Sequence, residues 1–388
     1  MEGIGGDGVK VKLSDAFELQ MGKTPDRNDA SCWNGAHKWV SIADITKADK
    51  YITETKETIS DTGVSKSGIK QVPKGTVIMS FKLSIGKTAI TTENLYTNEA
   101  IMAFIDKGIY DIDTDYIYHL FASKDWSDGT NKAVLGLTLN KATLSQIEIE
   151  IPSITEQKQA VVVLDKVDEL ISLRKKQLQK LDDLIKSRFV EMFGDINSEE
   201  TKWETKPLGE LCTIVRGGSP RPIEQYLGGT IPWIKIGDAT EDDNIYLKNT
   251  KDFIVETGVL KSRLIKAGSL IFANCGVSLG FARIVTFDGC IHDGWLALEN
   301  IDTKLDKVFL LYSLNSMTEH FRAIAPAGTQ PNLNTAIMKA YRQIVPPLDL
   351  QKEYVSFCKQ LNDNRMKTQH GLDKLEQMKQ ALMQKYFG

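Results

Sequence analysis

Two stretches of the chain carry hydrophobic residues at helical spacing over an unusual length. From Thr155 to Phe193 there is neither proline nor glycine, and Leu164, Ile171, Leu178, Ile185 and Met192 recur every seven residues, with Val167 and Leu181 at the intermediate positions. Such a repeat keeps one apolar stripe of a helix turned toward a partner, so the spacing predicts a long helix with a coiled-coil seam. A second stretch, from Leu350 to Phe387, is rougher: Leu361, Leu372, Leu375 and Leu382 keep the stripe, Arg365, Thr368 and Lys379 interrupt it, and Gly371 weakens it. A helix of about forty residues spans about 60 Å. One such seam cannot bury itself, so the two helices are expected to pack on each other.

The segment ahead of each helix has a different pattern. Short β-rich runs such as Gly75–Phe81 and Gln146–Ile151 alternate with turn-rich polar stretches, which reads as a mixed α/β domain. The two halves are also copies. Leu13, Ser14, Asp15, Ala16, Phe17 leading to Gly22, Lys23, Thr24, Pro25 returns as Leu208, Gly209, Glu210, Leu211, Cys212 leading to Gly217, Gly218, Ser219, Pro220. Trp39–Asp44 pairs with Trp233–Asp238, Ile151 and Pro152 with Val345 and Pro346, Gln157 and Lys158 with Gln351 and Lys352, and Phe193 and Gly194 with Phe387 and Gly388, at an offset of 194, half of the 388 residues. The expected fold is therefore α+β: two similar mixed α/β domains (1–152 and 197–346, with 1–9 flexible) and two long helices (153–196 and 347–388), forming an antiparallel coiled coil in a pseudo-two-fold internal repeat. A two-fold axis would place one globular domain at each end of the helices.

Composition narrows the function. The five cysteines are scattered without a Cys-x-x-Cys pair, which fits neither a disulfide framework nor a zinc ribbon, so reduced thiols and a cytoplasmic location are expected. Met1–Gly5 opens no export signal, and the longest aliphatic run, Ala160–Leu164, is too short to span a membrane. A formal charge of −3 means that any nucleic-acid surface must be local or shared with a partner. Two unequal readers on a rigid spacer suit a two-part target, because docking two modules on one duplex fixes their separation in helical turns.

Catalytic motifs are weak. Lys82, Leu83, Ser84, Ile85, Gly86, Lys87 and Thr88 resemble a phosphate loop, but position 81, where that motif needs glycine, is Phe81. Gly3, Gly5 and Gly8 follow no strand. There is no Asn/Asp-Pro-Pro-aromatic stretch for adenine methylation, and His37, His119, His292, His320 and His370 lack metal-ligand spacing. Asp44 with Glu54, Thr55 and Lys56 is only a chance-level match to a metal nuclease core. A nuclease or methyltransferase-related enzyme with a duplicated core, and a coiled-coil interaction protein without a nucleic-acid role, stand as the alternatives.

The second copy resembles a target-recognition domain of the specificity subunits of type I restriction-modification systems. The likeness rests on the order of Gly217–Pro220, Ile231–Asp238, Lys266–Phe272, Gly328–Leu333 (Gly, Thr, Gln, Pro, Asn, Leu) and Ile344–Leu348 with Gln351. It covers nearly the whole chain from Leu13. The first copy departs where Val134–Leu139 replaces the Gly-Thr-Gln-Pro-Asn-Leu run. The resemblance implies a non-catalytic subunit that reads an asymmetric two-part DNA sequence, each domain taking one half. It also implies two adenine methyltransferase subunits docked on the helices and translocase-endonuclease subunits besides. This chain would hold no cofactor, with S-adenosylmethionine on the methyltransferase partner. Phosphates call for cationic side chains and base edges for amides or guanidinium groups. In the first domain Lys23, Lys82, Lys87, Asn140 and Lys141 meet that description in loops, and in the second Arg216, Arg221, Lys235, Asn274, Gln330, Asn332 and Asn334 do so. Trp39 and Trp233 sit in apolar strands and are expected in the core.

Overall fold

Runs that are apolar at most positions become strands covered on both faces, and these take the occasional polar residue, Ser80 or Arg283, inside with them. Val77–Ser80, Leu270–Ala273 and Ala282–Val285 are buried at all four positions. Runs that alternate, such as Val9–Lys12 and Glu148–Ile151, turn one face to solvent, and these two pair antiparallel with Val9 opposite Ile151. The computed structural model describes residues 8–82, 84–126, 131–133, 136–194, 201–239, 245–276, 278–326 and 331–388. Within it the chain forms two compact units, one reaching to Lys175 and including His370–Gly388, the other Lys176–Gln369. The division falls inside both long helices.

The first unit holds a five-stranded sheet in the order Phe17–Met21, Ile101–Asp106, Val77–Ser80, Thr88–Thr91 and Tyr51–Ile52. A second sheet runs Glu57–Ile59, Trp33–Val40, Tyr96–Thr97. The second unit repeats both. Its five-stranded order is Thr213–Arg216, Trp295–Glu299, Leu270–Ala273, Ala282–Val285, Tyr246–Leu247, and its other sheet is Asp252–Ile254, Leu227–Ile234, Gly289–Ile291 and Arg263–Ile265. The last of these strands is reduced in the first unit to the single antiparallel bridge Val72–Leu95, after helix Asp61–Ser67, whereas the second unit has the shorter helix Glu256–Val259 followed by the full strand. In each unit a helix packs on the large sheet, Thr114–Ser123 or Lys307–Ser316, and each is capped by an aspartate, Asp113 or Asp306, whose carboxylate accepts from two free N–H groups of the first turn.

The long helices are Ile154–Phe193 and Leu348–Phe387, 40 residues each. Ser153 and Glu156 form a capping box at the start of the first, the Ser153 N–H and Oγ both donating to Glu156 Oε2. In the first unit Asp168 meets Lys379 at 2.5 Å and Lys175 meets Glu376 at 3.2 Å. In the second, Asp182 meets Arg365 at 3.3 Å and Arg188 meets Glu353 at 3.0 Å. Partners whose numbers fall on one helix as they rise on the other define an antiparallel pair within each unit. Leu164, Val167, Ile171 and Leu372 are buried along it, and Leu178, Leu181, Ile185, Leu361, Leu375 and Leu382 are half-buried. The breaks in the second seam have a physical reason: Arg365 and Lys379 face aspartates of the other helix, and Thr368 is itself buried. Partly exposed pairs of this kind add little stability but favour one register over its neighbours.

Each long helix is tied to a recognition domain by the same joint. Gln157, fully buried, donates from Nε2 to the carbonyls of Asp111 and Pro152 at 2.8 Å and accepts the Asp113 N–H on Oε1 at 2.8 Å. Gln351 does the same with Lys304, Pro346 and Asp306. The far end of a helix also packs on a domain. Phe193 lies 5.0 Å from Phe309 and 5.5 Å from Tyr354 in the second unit, and Phe387 lies 5.3 Å from Tyr116 in the first.

Candidate nucleic-acid interface

The repeated Gly-x-(Ser/Thr)-Pro segments leave the first strand of each large sheet and cross the loop that precedes its neighbour. The crossing is tight. A Cβ on Gly22 would lie 2.0 Å from the Thr97 carbonyl oxygen, and one on Gly217 would lie 2.2 Å from the His292 carbonyl oxygen, so only glycine fits at either place. Two residues further on, a hydroxyl reaches a carboxylate. Ser219 Oγ donates to Asp293 Oδ1 at 2.7 Å, and the Thr24 hydroxyl donates to the Glu99 carboxylate. Asp293 and Glu99 stand at the repeat offset, but nothing in the local sequence singles them out.

In the second unit cationic side chains cluster around this aspartate. Arg216 Nε donates to the Asp293 carbonyl at 2.9 Å, the Arg221 guanidinium lies 3.7 Å from Asp293 Oδ2 with its side chain 80% exposed, and His292 Nε2 lies 3.0 Å from Oδ1. Arg263 Nε donates to the Arg216 carbonyl at 3.2 Å. Burial works to raise the Asp293 pKa, but the Ser219 hydroxyl, His292 and the two arginines outweigh it and hold the carboxyl below its ordinary value. Burial pushes the His292 imidazole down, and Arg221, Lys235 and Arg216 push the same way against Asp293. Lys235 pairs with Asp252. Arg216, Arg221 and Arg263 thus sit together around Asp293 in a chain of slight negative charge.

The first unit builds its loop cluster differently. Arg27 lies 4.0 Å from the centre of the Trp33 ring and pairs with both oxygens of Glu57, at 2.5 and 3.2 Å. Burial tends to raise Glu99, yet Thr24, Lys82 and Arg27 bring it below its ordinary value. Lys23 donates to the Ser67 carbonyl and Lys87 to Thr46 Oγ1. Lys141 is exposed. Arg27 and Arg263 were not among the sequence candidates, because each depends on a neighbour distant in sequence.

The amide candidates divide. Asn140 Oδ1 accepts the Thr143 N–H at 2.9 Å, and Asn334 Oδ1 accepts the N–H groups of Ala336 and Ile337, so both are engaged as helix N-caps. Asn274 does not project from its loop; it is fully buried and donates to Asn332 Oδ1 at 3.0 Å. Asn332 is half-buried. Gln330, with Gly328 and Thr329, lies outside the described residues, as do Val134 and Leu135; beside the latter, Asn131–Ala133 pairs with Gly136–Thr138. Trp39 and Trp233 are in the core. Asp44, the start of the nuclease-like spacing, closes its own loop. It is buried and accepts from the Ser41 and Lys56 N–H groups, as Asp238 does from Lys235 and Lys251. Among the described residues no group of His, Cys, Asp and Glu is arranged to hold a metal, and no helix is long and apolar enough to cross a membrane.

Comparison with known proteins converges on one family. The sequence profile of the type I restriction modification DNA specificity domain matches twice, over residues 6–183 and 200–377. The chain is similar to the MjaIX type I restriction enzyme specificity subunit of Methanocaldococcus jannaschii, with 26% identity over 96% of this chain and 91% of that one. Its fold is similar to that of a chain solved in a study of complex assembly and conformational transition of a type I R-M system (TM-score 0.64, 16% identity, covering 100% of this chain and 99% of that one). It is also similar to the S subunit of the type I restriction-modification system from M. genitalium (TM-score 0.58, 15% identity, covering 100% and 98%). Two matched domains across nearly the whole length, on the duplicated frame described above, place this chain in that family: it is a specificity subunit of a type I restriction-modification system, a DNA-recognition component with two recognition domains.

Proposed function

We propose that residues 1–152 and 197–346 each read one half of an asymmetric, bipartite DNA site, and that the helices at 153–196 and 347–388 set the spacing between the halves. The observation that carries this reading is the pairing of one frame with two different loop chemistries. The same hydroxyl–carboxylate crossing is ringed by Arg216, Arg221 and Lys235 in one unit and by Lys23, Arg27 and Lys82 in the other. Phosphate contacts fix position, whereas different base-facing groups specify different sequences. Lys87, Lys141 and Asn332 belong to the same proposed surface.

Two methyltransferase subunits, which supply S-adenosylmethionine and the base chemistry, and endonuclease-translocase subunits are the partners of this reading, in the cytoplasm. The helices offer apolar surface for docking. Val162, Val163, Leu170 and Leu173 are exposed in the first unit, and Leu184 and Val190 in the second. The test is a genome-wide map of N6-methyladenine with this chain present, absent, and carrying the recognition domain of a relative in place of 197–346. Loss of one two-part motif on deletion, and a change in only one half of it after the exchange, are expected. A motif that survives deletion, or both halves changing together, would overturn the assignment.

A further inference from the structure

The backbone node at the end of strand Leu270–Ala273 is built the same way in both units and filled with opposite chemistry. Asn274 donates its N–H to the Gly294 carbonyl and accepts the Leu333 N–H, at 2.9 and 2.7 Å. In the first unit Phe81 makes the equivalent bonds with Ala100 and Leu139, at 3.0 and 3.2 Å. Phe81 is 1% exposed and Asn274 is 0% exposed. An aromatic ring therefore fills this node in one copy, while the other buries a primary amide there. Burying an amide costs free energy unless its donors and acceptor are met. Among the described residues the Asn274 side chain has one partner, Asn332 Oδ1 at 3.0 Å, and its own Oδ1 is buried with none.

We infer that Asn332 reads the adenine of an A·T pair in the major groove, with Asn274 as the positioning residue that holds its amide. This rests on the DNA-recognition reading proposed above. The main chain around Asn332 is clamped: it bridges Cys275, and the neighbouring Pro331 carbonyl accepts the Gly276 N–H at 3.2 Å. With the main chain held, the bond from Asn274 Nδ2 decides which end of the Asn332 amide is oxygen and which is nitrogen. One lone pair of Oδ1 and the Nδ2 hydrogens remain. That acceptor beside a donor complements adenine N6 and N7; guanine shows two acceptors there, cytosine a donor, and thymine an acceptor with a methyl group. The location agrees. Gly294, which Asn274 holds, directly follows Asp293, whose main-chain carbonyl accepts from Arg216 and whose carboxylate lies near Arg221. Phosphate-directed cations thus flank a base-directed amide at one end of the sheet.

The test uses the full-length chain assembled with its methyltransferase partners, with Asn332→Ala and Asn274→Phe, the latter importing the residue of the first unit. Binding to duplexes randomised at each position of the site is measured beside melting temperature and salt dependence. Both variants are expected to lose preference at one A·T position of one half-site by about ten- to a hundredfold, with the other half-site and the salt slope unchanged. Were Asn274→Phe to misfold, Asn332→Ala alone would decide the matter. Unchanged preference at every position in a variant that melts like the parent overturns the inference and leaves the general reading standing, and a loss confined to a G·C position overturns it as well. A parent complex with no bipartite preference would instead remove the general reading, and this inference with it.

Discussion

Beyond the glutamine joint that both units share, the long helices meet the recognition domain through an ion-pair cluster in the first unit where the second has an aromatic one. In the first, Lys50 pairs with Asp115 at 2.8 Å and with Asp165 of the long helix at 2.6 Å, and Asp165 also meets the buried His119 at 2.7 Å. In the second, the backbone bond made by Lys50 is made by Ile245, and the place of His119 on the helix that follows its aspartate cap is taken by Tyr312. Tyr354, at the repeat position of Ala160, then packs with Phe189, Phe193, Phe309 and Tyr312. Ala160 leaves instead a groove of about 540 Å3 whose walls include Tyr116, Leu120, Tyr386 and Phe387. What both copies keep is what bonds to main chain: the glycine crossing, the glutamine joint, the aspartate cap. Among side chains that only fill space some are kept, as Trp39 and Trp233 are, and others have diverged, as Ala160 and Tyr354 have.

The comparison breaks most readily at Tyr354. It is 1% exposed, and its hydroxyl donates to the Ile185 carbonyl at 3.1 Å. Tyr354→Ala should cost the second unit about 3–5 kcal/mol by cavity formation, read as an early unfolding step in urea with loss of hydrogen-exchange protection confined to 176–369. A cost below about 1 kcal/mol would mean that the aromatic cluster does not hold the joint. The glutamines sharpen the comparison from the other side. Gln157→Leu and Gln351→Leu each strand two carbonyls and one N–H of the main chain, and each should cost about 2–4 kcal/mol. Because their partners are the same in kind, the two costs should agree within about 1 kcal/mol, and a larger gap would show that the joints are not equivalent.

The elements legible in the sequence were those whose signal is local or periodic. Heptad spacing predicts both long helices, since a helix repeats its own faces, and the two large sheets repeat strand by strand at offsets close to 194, with Met102 and Leu296 at 194, Met21 and Arg216 at 195 and Val77 and Leu270 at 193. The role of Gln157 and Gln351 was hidden although both stood out as repeated, because the groups they satisfy lie as far away as Asp111 and Lys304. Asn140 illustrates an ambiguity of chemistry. An amide in a loop suits a base edge and a helix N-cap equally, and Thr143 three residues on, whose hydroxyl accepts the Asn140 N–H, is the local sign of the cap. Asn274 follows an apolar strand as a loop residue would, but the node beneath it is closed by Gly294 and Leu333, so its side chain points into the protein. Arg27 needed Trp33 and Glu57, which a folded chain supplies and a motif does not.

The smallest effect expected is one of pH, and it should be confined to the first unit. Burial pushes the His119 imidazole below its ordinary value of 6.5, with Lys50 and its positive charge helping and the carboxylates of Asp165 and Asp168 opposing. The unfolded chain therefore takes up a proton on this histidine at a higher pH than the folded chain does. Stability is full above about pH 6.5 and falls as the pH drops toward the folded value, where the loss is complete. Asp165 acts lower down. Burial tends to raise it, but its bonds to Lys50 and His119 leave it below its ordinary 3.8, so its contribution persists until the pH falls beneath that point. Lys50 is raised above 10.5 against its burial by Asp115 and Asp165, and its contribution is lost only as the pH rises through that raised value. Thermal unfolding of the parent and of His119→Phe, compared at pH 7.5 and 5.5, isolates the histidine, because the other titrating groups are common to both. The parent should lose more stability than the variant on acidification, and the additional loss should appear in hydrogen exchange of Thr114–Ser123 and be absent from Lys307–Ser316, where Tyr312 takes the place of the histidine. Equal losses in parent and variant would show that the buried ring contributes nothing to the difference between the joints.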